Sequence, residues 1–133
     1  MNEELLKQLK IITPEEQEIL NGRAEINGSI YGCEDSLIFD SKKLLTQNKL
    51  ITVRPHTRFV HFPKHTHNYV EVIYMCSGQT RHLINEEEVI LKQGELLFLG
   101  QNSIQEIDAA GENDIGVNFI ILPAFFDEAL KMM

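Results

Sequence analysis

Between Leu50 and Leu122 the chain sets down apolar runs at intervals of eight to twelve residues: LITVR, TRFVHF, YVEVIYM, RHLI, EVIL, ELLFL, IQEI and IGVNFIIL. Short polar or glycine-bearing clusters part them, among them SGQ, NEEE, KQG, GQNS and AAGEND. Runs this short, with no helical period between them, predict strands of an antiparallel sandwich or barrel.

The flanks read differently. Leu5, Leu6, Leu9 and Ile12 make one apolar stripe of a first helix. TPEE at 13–16 has the form of a capping box, in which Thr13 accepts from the amide of Glu16 and Glu16 reaches back to Thr13. Pro14 suits the first helical position, and Asn21 with Gly22 supplies the stop. A short helix from Pro14 to Leu20 follows. Residues 23–48 show no clean period and read as irregular, with one or two short strands. After Pro123, the positions Phe126, Ala129, Leu130 and Met133 fall on one face of an amphipathic helix that lacks a C-cap. That stripe either packs on the outside of its own barrel, or the chain continues, or a partner covers it.

Net charge is −8, which argues against this chain gripping nucleic acid by itself, since phosphate binding needs a basic face. The charge is uneven. Residues 50–81 hold one acid, Glu71, against four bases, Arg54, Arg58, Lys64 and Arg81, and carry four of the five histidines. Those bases are either anion contacts or solvated surface groups. Cys33 and Cys76 are too few for a disulfide framework, and Cys76 reads as a small hydrophobe. No stretch approaches the roughly 18–20 apolar residues of a membrane span, and MNEELLKQLK lacks a signal peptide's apolar core. The expected location is the cytoplasm.

HFPKHTHNYVEVIYMCSG, residues 61–78, carries the candidate chemistry. On one continuous strand, His65, His67, Tyr69 and Glu71 would share a face through the period of two. Two imidazoles and a carboxylate suit iron, manganese, nickel or zinc; equally, they suit a polar cavity in which they bond to each other or to water. His56, His61 and His82 read as local hydrogen-bonding residues, and Tyr74 and Met75 as packing.

The string HxHxxxExxxxxxG, filled by His65, His67, Glu71 and Gly78, resembles the first motif of the cupin superfamily, and GELLFLGQNSIQEI from Gly94 resembles the second. Departures are specific: Gln101 stands where a proline is usual, Gln105 where metal-binding members place a histidine, and Phe59 where a glycine is usual. Gln105 offers only a carbonyl oxygen, a weaker ligand than imidazole. Over residues 50–133 the chain is similar to the effector-binding and dimerisation domain of AraC-type transcription regulators.

That resemblance implies a mainly β fold, a cupin-type jelly-roll barrel at 50–122, with the start of a linker helix at 123–133; residues 1–49, outside the motifs, read as a helical or irregular arm. It implies a small-molecule effector, a sugar or related polar metabolite, held by His65, His67, Tyr69, Glu71 and Gln105. It implies a homodimer, DNA contact only through a helix-turn-helix domain absent from this chain, no membrane partner and no catalysis. The alternative is a metal-dependent cupin enzyme of dioxygenase or sugar-isomerase type, with Zn, Mn, Fe or Ni on His65, His67, Glu71 and Gln105.

Overall fold

Two sheets face each other and enclose the core. The computed structural model describes residues 2–33, 38–45 and 48–133. The N-terminal arm forms α1 (Glu3–Leu9), α2 (Pro14–Leu20), α3 (Gly28–Tyr31), β1 (Ile38–Phe39) and α4 (Ser41–Leu44). Next come β2 (Ile51–Pro55), β3 (Phe62–His67), β4 (Val70–Ser77), β5 (Gln79–Ile84), β6 (Glu87–Lys92), β7 (Leu96–Leu99), β8 (Gln105–Ile107) and β9 (Ile115–Ile121), and the helix α5 (Pro123–Lys131). One sheet has the order β1-β3-β8-β5-β6 and the other β2-β9-β4-β7. The fold is the jelly roll expected, but hydrogen bonding does not run from one sheet into the other. The lumen is therefore the interior of a sandwich.

Local signals set most boundaries. Thr13 Oγ1 accepts from the amide of Glu16 and Glu16 Oε1 from that of Thr13, so the capping box forms and α2 spans the residues anticipated. Gly78 turns β4 into β5 at φ 67, and a Cβ there would strike the carboxylate of Asp114. Only glycine fits.

One strand reading needs correction, and three regions gain detail. TRFVHF is a strand only from Phe62; residues 57–61 form a loop that carries Arg58 inward. Residues 23–48 hold, among those described, one short strand and two single-turn helices, because Asn27 and Asp40 cap α3 and α4 with their side chains. The stripe of α1 is not buried, with Leu5 46% exposed. Nor does α5 bury any residue against its own sheets.

The arm belongs to the core. Ile19, Tyr31, Phe39 and Leu45 join Val60, Phe62, Tyr69, Ile107 and Ile120 in one buried cluster, and β1 extends a sheet by pairing in parallel with β3, Phe39 against His67. A second cluster of Ile73, Met75, Leu91 and Leu99 fills the other end. Among the described residues no helix is long and apolar enough to cross a membrane.

Candidate functional site

His65 and His67 do not share a strand with Glu71. The imidazoles stand on β3 in the five-stranded sheet, the chain bends at Asn68 and Tyr69, and Glu71 stands on β4 in the facing sheet. The shared-face geometry is thus wrong, while the convergence survives: His65, His67, Tyr69 and Glu71 are all buried, pointing in from opposite walls. Gln105 on β8 is the cross-strand neighbour of His65 and is 1% exposed. It links the two walls.

Its hydrogen bonds have a fixed direction. His65 Nδ1 lies 2.7 Å from the carbonyl of Pro63, which only accepts, so Nδ1 carries the proton and Nε2 of the neutral ring is bare. The amide nitrogen of Gln105 faces that bare Nε2 at 3.5 Å and donates to Glu71 Oε1 at 3.3 Å. The amide oxygen then turns to His82 and accepts from Nδ1 at 3.3 Å, leaving His82 Nε2 to accept from the Thr80 hydroxyl at 2.7 Å. One polar chain crosses the interior from Thr80 to Pro63. His67 follows the same rule, donating Nδ1–H to the carbonyl of Tyr69 at 2.6 Å, and its buried Nε2 has no partner.

Burial keeps three of the rings neutral. It pulls His65 and His82 each down to about 4 and His56 to about 3. Burial also pushes the Glu71 carboxyl above its usual range, against the pull of His67 and the Gln105 hydrogen bond. Packing locks the rings: His65 stacks on Phe39 with centroids 3.8 Å apart, and His67 on Tyr69 at 4.5 Å.

A cavity of about 20 Å³ lies beside this chain, lined from the sheets by Arg54, His56, Glu71, Gln105 and Asn118, and closed on the arm side by Tyr31, Phe39 and Leu44. That is room for about one water. Two lining atoms lack a protein partner, His56 Nε2 and Asn118 Oδ1. Of the four bases in the basic stretch only Arg54 reaches this cavity. Arg58 is buried in a clamp with Glu16, Arg81 pairs with Glu88 and Asp108 at the surface, and Lys64 is exposed. His61 pairs with Glu106 at the rim.

Sequence reading passed over Glu15, Tyr31, Phe39 and Asn118. Asn118 left a signal, as the one amide inside the run IGVNFIIL. Tyr31 and Phe39 left none, because they reach the interior from a single-turn helix and a two-residue strand, both too short to show a period. His82 was assigned to local hydrogen bonding and makes such bonds, whereas His56 Nε2 makes none.

The donor set does not fit a divalent metal as it stands. Among the described residues no three His, Cys, Asp or Glu side chains converge as ligands. The amide nitrogen of Gln105 sits between His65 Nε2 and Glu71 Oε1, where an ion would have to lie.

A family model described as the AraC-like ligand binding domain matches residues 49–131. Among curated proteins nothing matches. Solved structures similar in fold include a cupin protein from Bacteroides fragilis (23% identity, 56% of this chain and 66% of that one, TM-score 0.43). They also include the EutQ protein of Clostridium difficile (20%, 55% and 50%, 0.44) and KdgF from Halomonas sp. (11%, 58% and 73%, 0.50). The match spans half to just under two thirds of the length of the first two.

Proposed function

Because the chain belongs to the family of AraC-like ligand-binding domains, we propose that it is the sensing and dimerising part of a transcription regulator of that type. It would take a small polar metabolite, a sugar or a relative of one, between its sheets and pass that event to a DNA-binding unit outside this chain. The observation that carries the reading is the pair of buried, unpartnered atoms on the cavity wall, His56 Nε2 and Asn118 Oδ1. An orphaned buried polar atom is costly and is relieved by a ligand hydroxyl, which can both donate and accept.

Room for that ligand comes from the arm. Phe39 and Leu44 close the cavity beside Tyr31 in this state, so a metabolite enters only as Phe39 and Leu44 withdraw. Binding then shifts the population of arm positions, and a regulator can transmit such a shift.

The experiment is a thermal-shift screen of the purified chain against neutral and acidic sugars, with hits titrated calorimetrically. A saturable one-to-one ligand, weakened at least tenfold in Asn118→Leu, is expected. A ligand whose affinity is indifferent to Asn118 would place binding elsewhere and refute the reading. The enzyme alternative is tested separately by metal content and turnover, since the donors found here do not converge as ligands.

A further inference from the structure

Glu15 is held as a bound ligand would be. Its carboxylate receives three donors from the cavity side: Arg54 Nη2 at 3.2 Å and Thr57 Oγ1 at 2.9 Å on one oxygen, and the Tyr31 hydroxyl at 2.7 Å on the other. The guanidinium of Arg54 also lies over the Tyr31 ring, 5.0 Å from its centroid. Glu15 itself comes from the first turn of α2, on the arm, while Arg54 and Thr57 belong to the sheet domain and its following loop. Its neighbour Glu16 is engaged elsewhere, with Arg58. The arm is thereby pinned at the cavity by an internal carboxylate.

We propose that the effector is a small hydroxylated carboxylic acid, a sugar acid rather than a neutral sugar, and that its carboxylate displaces Glu15 from Arg54, Thr57 and Tyr31. This rests on the sensor reading above and specifies its ligand. Two independent features on the same wall point the same way. The cradle supplies a cation and two hydroxyls, the donors a carboxylate needs. Deeper in, Asn118 Oδ1 lacks a donor and the neutral ring of His56 presents a bare or protonated Nε2; hydroxyl groups answer both. Arg54 and Asn118 are cross-strand neighbours, so the carboxylate and hydroxyl subsites adjoin. A neutral sugar would leave the cradle to Glu15 and gain nothing from displacing it.

Competition between Glu15 and the ligand's carboxylate makes the inference testable without knowing the natural effector. Paired probes differing in one group are titrated into the chain and read by ¹H–¹⁵N resonances, including the Arg54 Nε–H: gluconate against sorbitol, and glycolate against ethylene glycol. Both acids are expected to move the Arg54 resonance saturably and their neutral partners not at all. Glu15→Gln removes the competitor, so each acid should bind about tenfold tighter there, and Arg54→Gln should abolish the response. Should Glu15→Gln fail to fold, Glu15→Asp withdraws the carboxylate from the cradle while keeping its charge, and the same tightening is expected. Equal responses to acid and neutral partner, or no acid response in a folded variant whose cradle is vacated, would overturn the proposal. Sorbitol binding at Asn118 without a preference for gluconate would do so while leaving the sensor reading intact.

Discussion

Glu16 and Arg58 form a fully buried ion pair, Oε2 to Nε at 2.8 Å, with each side chain 2% exposed. Arg58 spends its remaining donors on the carbonyls of Glu112 and Lys10, and Glu16 accepts from the amides of Thr13 and Arg58. α2, the loop after β2 and the turn before β9 are thereby tied at one point. Burial would raise the Glu16 carboxyl, but the hydrogen bonds and charge of Arg58 together with the two amides outweigh it and hold it below its usual value of 4.5. A carboxylate depressed in the fold contributes stability above pH 4.5 and loses it as pH falls through its folded value. Glu16→Gln strands the guanidinium and is expected to cost about 3–5 kcal/mol at pH 7, with the deficit shrinking below pH 4.5. Urea unfolding at both pH values measures it; a variant as stable as the parent at pH 7 would show that the pair contributes nothing.

Acid should unfold the protein earlier than its carboxylates alone would dictate. His56, His65 and His82 are held near 3 to 4 in the fold, against 6.5 when free. As pH falls below 6.5 the unfolded chain takes up protons that the folded chain refuses, at up to about 1.4 kcal/mol per pH unit for each ring. Glu71 acts in the opposite sense, because its folded pKa is raised and the fold takes that proton first. Three rings outweigh one carboxyl. The thermal midpoint is expected to drop by at least about 5 °C between pH 6.5 and 5, and a flat profile across that window would mean that the rings titrate freely.

Gln105→Leu removes the link between the walls. His65 Nε2, Glu71 Oε1 and His82 Nδ1 all lose the partner that Gln105 supplied. At about 1–3 kcal/mol for each stranded group, a loss of roughly 3 kcal/mol or more is expected in chemical denaturation. The tautomers give a sharper check in the parent protein: nitrogen-15 spectra should find the proton of His65, His67 and His82 on Nδ1 in each ring. A proton on His65 Nε2 would break the directional chain.

How much of this was legible depended on whether the information was local. Strand runs, the Thr13 capping box and the helix after Pro123 are decided by neighbours in sequence, and each formed at or near the place read. The site residues were legible only as a set. Period-two reasoning assigned His65 through Glu71 to one strand, but the bend at Asn68 and Tyr69 hands the chain to the opposite sheet, a tertiary choice that the apolar text does not record. Phe59 is instructive: the side chain departs from the motif's glycine, yet its backbone keeps φ 74, the left-handed region that glycine favours. Its amide bonds the carbonyl of Ala110, and its ring lies 5.1 Å from the Arg58 guanidinium, contacts that hold it there. The closing of the cavity by Tyr31 and Phe39 was not legible, because contacts at a sequence distance set by irregular caps have no pattern to read.

Metal content separates the sensor from an enzyme of the same fold. Gln105 presents its amide nitrogen to His65 and Glu71, and burial disfavours the charged carboxylate that a divalent ion requires. Protein purified without chelator is expected to carry less than about 0.1 equivalent of Zn, Mn, Fe or Ni by elemental analysis. Stoichiometric metal would mean that Gln105 yields the position, and would revive the catalytic alternative.

Association is expected through the outer face of the four-stranded sheet. Cross-strand register aligns Val53, Phe119, Val72 and Phe98 in one row and Pro55, Val117, Tyr74 and Leu96 in the next. No charged side chain stands in either row, while Phe98 is 71%, Leu96 54% and Val53 53% exposed. A chain of net charge −8 repels its own copy through most of its surface; this uncharged face is where two copies meet at least electrostatic cost, and a contiguous apolar patch of that kind marks an interface. The exposed stripe of α5, with Leu130 66% exposed, is the competing surface. Phe98→Glu places a charge on this face, and twofold symmetry brings two copies of that charge into one contact, so light scattering should show dimer falling to monomer with the fold unchanged. Leu130→Glu should leave that dimer in place. The reverse pair of outcomes would move the interface to the helix, and a parent chain that stays monomeric at high concentration would dismiss both.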